Sequence, residues 1–195
     1  MTMPPAASIL VVAATERELA TGPWRSFCCG VGPIDAGVMT ALEIARERPA
    51  AILHVGIAGA RRDSGISVGS MVIGSRSVYC DAGLAPKWVL NAVEAPIVLI
   101  EAAERVLPHA RLETIGTSAL VGGTRNVDVE AMEGFGVLLA AGRARIPAIE
   151  IRAISNEIEE TDRSRWQFDA AFKAITDATP ALVTAIQQAV WLADA

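Results

Sequence analysis

Short apolar runs alternate with amphipathic stretches along the chain of 195 residues, and this pattern predicts alternating strands and helices. Runs rich in valine, isoleucine and leucine predict strands at Ser8–Ala13, Ala51–Ala60, Val68–Val78, Leu112–Thr117 and Ala148–Ser155. Apolar residues at helical spacing predict helices at Asp35–Arg48, Glu101–Leu107, Ala131–Ala144 and Phe168–Ala178, with a last helix from Pro180 to about Leu192. We therefore expect residues 1–195 to form one three-layer α/β domain.

Two short segments before the first long helix carry local signals. Thr15 can cap a short helix, because Glu16 and Glu18 follow it in the first turn, where carboxylates suit the helix dipole. Gly30 and Gly32 permit tight backbone geometry in the turn that follows. That turn lacks the third glycine of a dinucleotide-binding fingerprint, so we expect no dinucleotide there.

The composition favours a buried sheet covered by helices and argues against several partners. Hydrophobic residues make up 52% of the chain and aromatic residues only 5%, which is typical of parallel strands buried on both faces. A net charge of −5 without a basic block argues against nucleic acid. No apolar run reaches the roughly 18 residues of a membrane span. The N-terminal stretch lacks the basic region of a signal peptide, which predicts a cytoplasmic protein.

The cysteines and histidines form no metal-binding pattern. Cys28, Cys29 and Cys80 are odd in number and include an adjacent pair, so we expect reduced core residues rather than disulfides. The chain has no CxxC or HExxH motif, and His54 and His109 lie far apart in the sequence. We expect neither a metal nor another cofactor.

Three polar side chains are predicted to converge where one helix begins and the next strand ends. Glu133 near the helix start can accept hydrogen bonds from a sugar diol, and Arg152 on the strand can hold this carboxylate ionised and oriented. Asn156, at the end of the strand, offers donors and an acceptor that suit the edge of a purine. Taken alone, these residues could equally be a solvated helix start, a charge pair on a strand and a loop amide.

Two motifs in this region resemble a known superfamily. Met132-Glu133, followed after an interval by Arg152-Ala153-Ile154-Ser155-Asn156, resembles the ME…RAIS(D/N) signature of the purine nucleoside phosphorylases and nucleosidases. Within that superfamily, VEAMEG, RAISN and the segment DRSRW (Asp162 to Trp166) are most similar to the futalosine hydrolases of the alternative menaquinone pathway. The resemblance implies a nucleoside phosphorylase-like α/β/α sandwich with a central mixed sheet.

The resemblance also implies roles for particular residues. Aligning the ends of the first strands places Glu18 on the glutamate that activates the attacking water, with Glu16 as the alternative. Asn156 is the second catalytic candidate, acting on the base. The substrate-binding candidates are Met132, Glu133, Arg152, Ser155, Ile57, Leu120 and Val121. Asp81 matches an acidic position of the pocket wall, and the segment Ala82–Ala95 is predicted to be a loop that could close over the nucleoside.

The chain departs from the superfamily pattern at two places. Relatives have a β-hairpin in the region of Thr21–Pro33, which is too short here to hold a full one. Ile57 stands where the family usually has a hydroxyl residue, although GIAGA is similar to the futalosine hydrolases. Relatives assemble as homodimers or larger oligomers, so we expect a homo-oligomer.

The residues favour hydrolysis of a hypoxanthine nucleoside. Phosphorolysis needs a cationic cradle for phosphate, whereas AATERE after the first strand is acidic. Asn156 cannot protonate a base but can donate to N7 or O6 of a 6-oxopurine, as in futalosine. The alternatives are a methylthioadenosine/S-adenosylhomocysteine nucleosidase, a purine nucleoside phosphorylase, and a non-catalytic nucleoside-binding protein.

Overall fold

Eight strands and four α-helices make up the part of the chain that the computed structural model describes, residues 8–82 and 87–193. The strands are β1 (Ile9–Ala13), β2 (Arg25–Cys28), β3 (Ala51–Ala60), β4 (Met71–Tyr79), β5 (Ala92–Glu94), β6 (Arg111–Thr117), β7 (Val129–Ala131) and β8 (Ala148–Glu157). The helices are α1 (Pro33–Arg46), α2 (Ile97–Val106), α3 (Gly134–Arg143) and α4 (Phe168–Ala193).

The strands form one mixed sheet that closes partly on itself. β1 lies between β2 and β3 and is parallel to both, and β3 is parallel to β8. β8 pairs antiparallel with β4, β4 parallel with β6, β6 parallel with β7, and β7 antiparallel with β3, which closes a ring of strands. Because β1, β3 and β8 run in the same direction, their carboxyl ends meet at one edge of the sheet, the usual place for a ligand.

Two pairs of helices cover the two faces of this sheet. Successive residues of a strand point to opposite faces, so Val11 packs under α2 and α4 while Leu10 and Val12 pack under α1 and α3. A third apolar cluster comes mainly from the ring strands themselves and includes Ala58, Val72, Ile115, Val129 and Ile154. The predicted three-layer α/β/α sandwich with a central mixed sheet is confirmed.

The segment Val129–Ala131 is a strand, although the apolar pattern predicted a helix from Ala131. Its residues pair with β6 on one side and with Gly59 and Ala60 of β3 on the other. The helix begins only at Gly134. A short buried strand that runs directly into a helix has the same local pattern as a longer helix, and the pairing that distinguishes them comes from distant strands.

α4 is one continuous helix of 26 residues, where the sequence predicted two helices separated at Pro180. Its buried positions form a single stripe through the proline, with Ile175, Thr179, Leu182 and Ile186 among them. Pro180 is exposed and Thr179 donates its hydroxyl to the Ile175 carbonyl at 2.8 Å, so packing of the stripe outweighs the lost backbone bond. No helix within residues 8–82 and 87–193 is long and apolar enough to cross a membrane.

The ends of several other elements also differ from the prediction. α1 is capped at Gly32 rather than at Asp35, which lies in its first turn. α2 already begins at Ile97. The predicted loop Ala82–Ala95 contains β5, which pairs with β4, whereas residues 83–86 of that loop lie outside the described part of the chain.

The shortened region after β1 forms a single strand. β2 pairs in parallel with β1 from Leu10↔Arg25 to Ala13↔Cys28 and lies at the edge of the sheet. Cys29 follows it and is fully buried, whereas Cys28 and Cys80 are only half-buried, so the expectation of core cysteines holds fully for Cys29 alone. Burial raises the pKa of the Cys29 thiol to about 12.

α1 and α3 cross at two facing glycines. A Cβ atom on Gly136 would lie 2.4 Å from the carbonyl oxygen of Pro33 and 2.9 Å from the backbone nitrogen of Gly37. A side chain larger than hydrogen therefore cannot fit without separating the helices. Gly142 lies on the same helix, and a Cβ atom there would meet nothing within 4 Å.

We predict opposite effects of alanine at these two positions of α3. Gly136→Ala should lower the free energy of unfolding by about 3 kcal/mol, because the added methyl group overpacks a backbone contact. Gly142→Ala should be neutral or stabilising by up to about 1 kcal/mol, because alanine is the better helix former. Urea unfolding of both variants checks this, and equal effects would contradict the close crossing.

Candidate active site

A cavity of about 720 Å³ opens at the edge where the carboxyl ends of β1, β3 and β8 meet. Its wall contains eight of the nine residues predicted to act on the substrate: Glu18, Ile57, Leu120, Val121, Met132, Glu133, Ser155 and Asn156. The ninth, Arg152, is fully buried behind this wall. The fold thus brings together side chains that lie far apart in the sequence.

Glu18 lies in the short 3₁₀ helix that follows β1, and its carboxylate is held from two sides. Thr15 donates to Glu18 Oε2 through its backbone nitrogen at 2.9 Å and its hydroxyl at 2.8 Å. The backbone nitrogen of Ile57 lies 3.3 Å from Oε1. Glu18 is only 4% exposed and lines the cavity, whereas Glu16 is exposed and does not. The position of Glu18 is therefore the one suited to a base that acts in the cavity.

Glu133 lies immediately before α3 and is also buried. Its Oε1 accepts from the backbone nitrogen of Gly32 at 3.2 Å, and its Oε2 lies 3.4 Å from Nη2 of Arg152. Burial raises the pKa of Glu133, and the nearby Glu18 and Glu150 carboxylates act in the same direction. Arg152 and the Gly32 N–H lower that pKa and favour the ionised form.

Arg152 is the centre of a buried polar network. Its Nε donates to Glu150 Oε1 at 2.8 Å, and its Nη1 donates to the Ile57 carbonyl at 3.3 Å. Since the side chain does not reach the cavity wall, the predicted direct contact with substrate is replaced by contacts to Glu133 and to the backbone at Ile57. This position fits the other expectation from the sequence, that Arg152 orients Glu133.

His54 completes this network, although no pattern in the sequence connects it with Arg152. Its Nε2 lies 2.6 Å from Nη2 of Arg152, and its Nδ1 lies 3.0 Å from the Val12 carbonyl. Because the carbonyl accepts only from an N–H, Nδ1 carries the proton and Nε2 accepts from Arg152. Burial lowers the pKa of His54 far below its usual value, and the Arg152 charge adds to this effect. The imidazole is therefore neutral.

Glu150 supplies a second carboxylate to Arg152 and packs against the start of α3. A Cβ atom on Gly134 would lie 2.1 Å from Glu150 Oε2, so glycine is needed for this approach. Oε2 has no hydrogen-bond partner among the described residues. The pair Glu133 and Glu150 thus shares one guanidinium, and the carboxyl groups outnumber the cations in this buried region.

Asn156 reaches the cavity through a β-bulge in β8. The pairing of β3 with β8 shifts after Ala58↔Ile154 to Gly59↔Asn156, which leaves Ser155 as the extra residue. Ser155 and Asn156 therefore both reach the cavity wall. Asn156 Oδ1 accepts from the Ser155 hydroxyl at 2.8 Å and its Nδ2 donates to the Glu157 carbonyl at 2.8 Å. One N–H and one acceptor site of the amide remain for a ligand.

Two carboxylates hold the loop that carries Leu120 and Val121. Asp81 accepts from the Ser118 hydroxyl and the Ala119 nitrogen, each at 2.8 Å. Glu130 accepts from the backbone nitrogens of Gly122 and Thr124 and from the Thr124 hydroxyl. Asp81 was expected in the pocket wall; it lies outside the cavity lining and instead fixes the loop.

One part of the cavity wall is aromatic and basic, and the sequence analysis predicted no role for its residues. It consists of Arg163, Trp166, Phe168 and Phe172. Phe168 and Phe172 belong to the apolar stripe of the predicted helix, but they remain half-buried at the cavity while Ala171 and Ile175 enter the core. In the sequence, this part of the wall could have been inferred only from the resemblance of the segment DRSRW to the futalosine hydrolases.

Comparison with known proteins gives two relatives that share at least 30% of the residues compared. No family model matches the chain. The futalosine hydrolase of Streptomyces coelicolor is 31% identical, and the match covers 84% of this chain and 80% of the relative. The futalosine hydrolase of Acidothermus cellulolyticus is 30% identical, and the match covers 78% of this chain and 72% of the relative.

Solved structures share the fold at low sequence identity. A methylthioadenosine/S-adenosylhomocysteine nucleosidase from Colwellia psychrerythraea, in complex with adenine, matches with a TM-score of 0.80 and 17% identity over 91% of this chain and 94% of that one. The native futalosine hydrolase of Helicobacter pylori matches with a TM-score of 0.78 and 14% identity over 90% and 97% of the two chains. These matches establish a nucleosidase fold.

The neutral state of His54 predicts a pH dependence of stability. An unfolded histidine binds a proton below about pH 6.5, whereas buried His54 does not, so acid favours the unfolded chain. Compared with a His54→Gln variant, the wild type should lose about 1.4 kcal/mol of unfolding free energy between pH 7.5 and pH 5.5. Urea unfolding at both pH values measures this difference. A difference that stays constant with pH would mean that His54 binds a proton as readily in the fold as in the unfolded chain.

Proposed function

The chain belongs to the futalosine hydrolase family and is an N-glycosyl hydrolase, and we propose that its cavity cleaves futalosine by activating water and releases hypoxanthine. The observation that carries this proposal is the meeting of Glu18, Glu133 and Asn156 in one cavity. Each stands on a different element, and each has the chemistry for one part of the reaction. The menaquinone pathway follows from the name of the family.

Glu18 is assigned the activation of water. Cleavage of the glycosidic bond needs a nucleophile at the anomeric carbon, and a fixed carboxylate can take the proton of a water molecule as it attacks. Thr15 and Ile57 hold Glu18 in one orientation, so little reorganisation is needed when the water arrives. The carboxylate also contributes negative charge beside the sugar.

We assign to Glu133 the binding of the ribose and the stabilisation of its developing charge. As the bond to the base breaks, positive charge develops on the sugar, and a buried carboxylate stabilises that charge more strongly than one in water. Glu133 can accept hydrogen bonds from the sugar hydroxyls while Arg152 and Gly32 hold it. The carboxyl groups outnumber the cations in this region, and this excess of negative charge also stabilises the positive charge that develops on the sugar.

We assign to Asn156 the stabilisation of the departing base by a hydrogen bond. Its remaining N–H can donate to N7 or O6 of hypoxanthine as negative charge develops on the ring. The Ser155 hydroxyl and the Glu157 carbonyl fix the amide. An amide cannot supply a proton to an adenine leaving group, so a preference for adenine nucleosides would contradict this assignment.

Phosphorolysis fits the cavity less well than hydrolysis. Three carboxylates, those of Glu18, Glu130 and Glu133, lie in its wall and would repel phosphate. Among the described residues of the wall, Arg163 is the single cation, and it stands with the aromatic residues rather than with a cluster of donors. Water is therefore the favoured nucleophile.

The exposed apolar face of α1 supports assembly with a second copy of the chain. Ile34, Val38 and Leu42 are 75%, 55% and 60% exposed. Leu120 and Val121 in the cavity wall are 69% and 46% exposed. Apolar surface of this extent usually marks an interface. We therefore propose a homodimer in which α1 meets the partner and the exposed cavity wall is shielded from water.

Replacement of Glu18 should remove most of the activity. Glu18→Gln keeps the size of the side chain but loses the base, so kcat for release of base from futalosine should fall about 10³-fold. Glu16→Gln is the matched control from the same turn and should stay within about twofold of the wild type. Chromatography of the released base measures both variants. A Glu18→Gln variant that retains its rate would remove this glutamate from the mechanism.

The homodimer should be sensitive to charge on α1. Wild-type protein at micromolar concentration should sediment as a dimer, and Leu42→Glu should sediment as a monomer, because a buried unpaired charge is costly. Leu192 on α4 is 66% exposed and offers a control, since Leu192→Glu should remain a dimer. Analytical ultracentrifugation distinguishes these masses. A monomeric wild type would refute the interface.

A further inference from the structure

Glu150 is a buried carboxylate to which the proposed function gives no role of its own. It lies on β8, is fully buried and does not line the cavity. Its Oε1 accepts from Arg152 Nε at 2.8 Å, and its Oε2 has no hydrogen-bond partner among the described residues. Because burial of an incompletely paired charge is costly, a carboxylate at this position requires an explanation.

Two features of the fold stabilise the Glu150 carboxylate. One is the guanidinium of Arg152, and the other is the start of α3, where the helix dipole favours negative charge. Gly134 is the first residue of that helix, and a Cβ atom there would lie 2.1 Å from Glu150 Oε2 and 2.3 Å from its Oε1. The glycine therefore leaves the space in which Glu150 lies directly against the helix start.

Glu150 and Glu133 compete for the positive charge of Arg152. Glu150 Oε1 lies 2.8 Å from Nε of the guanidinium, whereas Glu133 Oε2 lies 3.4 Å from Nη2. Since both carboxylates are buried, the closer one takes the larger share of the attraction. The Glu133 carboxylate is therefore only partly neutralised and keeps negative charge for the sugar.

His54 and the backbone at Ile57 hold Arg152 in this geometry. His54 Nε2 lies 2.6 Å from Nη2 of Arg152, the same nitrogen that faces Glu133 at 3.4 Å. The Ile57 carbonyl accepts from Nη1 at 3.3 Å. Together with the bond from Nε to Glu150, these contacts fix the guanidinium on three sides, so it cannot turn fully towards Glu133 without breaking them.

We propose that Glu150 is a positioning residue that acts through Arg152: it draws the guanidinium charge away from Glu133 and thereby keeps the ribose side of the cavity negative. This negative charge matters most in the transition state, when the sugar becomes cationic, and little for the neutral nucleoside that binds first. The inference rests on the proposed nucleosidase function and names a residue that sets the rate of that function.

Two nucleoside analogues test the proposal by calorimetry. In both, a carbon–carbon bond joins the base to the sugar, so the base cannot leave; one has a protonated nitrogen in place of the ring oxygen, and the other has a CH₂ group there. The wild type should bind the cation more tightly. Glu150→Gln should reduce that preference about 10-fold, because it keeps the size of the side chain and loses the charge. The kcat for base release should fall by a similar factor, while KM changes by less than about threefold.

A conservative variant distinguishes charge from packing. Glu150→Asp keeps the charge and shortens the side chain by one carbon, so it should keep the preference for the cation within about threefold of the wild type. A role in packing alone would be served better by glutamine than by aspartate. If Glu150→Gln does not fold, the aspartate variant decides, since loss of the preference there would refute the proposal.

Glu43 offers a matched control on α1. It is also a buried carboxylate, pairs with Arg25 at 2.7 Å and with Arg46 at 2.8 Å, and does not line the cavity. Glu43→Gln therefore breaks a buried ion pair at a distance from the site. The variant should keep the preference for the cation, even where it lowers stability; a loss equal to that of Glu150→Gln would refute the proposal.

The outcomes separate this proposal from the proposed function. No base released by the wild type, together with a preference for the cation that depends on Glu150, would refute hydrolysis and support the positioning role. Hydrolysis with a preference that Glu150→Gln leaves intact, or equal weakening of both analogues in that variant, would refute the positioning role and leave hydrolysis in place.

Discussion

The buried guanidinium of Arg152 is the interaction on which the site depends. It joins β8, where it originates, to Glu150 on the same strand, to His54 and Ile57 on β3, and to Glu133 before α3. Loss of one partner from such a buried pair costs about 3–5 kcal/mol, because the other charge is left without compensation. Neutral His54 fits this network because it can accept a hydrogen bond from Arg152 without adding a second positive charge.

The sheet and its loops form a cavity next to this network. Parallel β1, β3 and β8 bring Glu18, Ile57 and Asn156 to one edge, and the bulge in β8 places both Ser155 and Asn156 there. The loop with Leu120 and Val121 is held by the carboxylates of Asp81 and Glu130. Acidic residues thus serve two purposes in one small region: some fix backbone N–H groups, and others remain available to a sugar that becomes cationic.

The sequence predicted much of the fold and many of the residues that line the cavity, because the strands are strongly apolar and two motifs resemble a known superfamily. The prediction was wrong where distant contacts override the local pattern. The strand β7 lies where the start of a helix was predicted, and α4 continues through Pro180, where it was predicted to be interrupted, because its buried stripe packs in the core. The partnership of His54 with Arg152 could not be predicted, since a histidine in an apolar strand has no local signal. The exposure of Phe168 and Phe172 depends on the cavity, which the helical pattern does not reveal.

The most direct test of the proposed hydrolysis is the rate of base release from futalosine and from a matched nucleoside with adenine in place of hypoxanthine, each with and without phosphate. We expect free hypoxanthine at a rate that phosphate does not change, with the adenine nucleoside cleaved more slowly. A strict requirement for phosphate would contradict water as the nucleophile. Faster release of adenine would contradict the assignment of Asn156 to a 6-oxopurine.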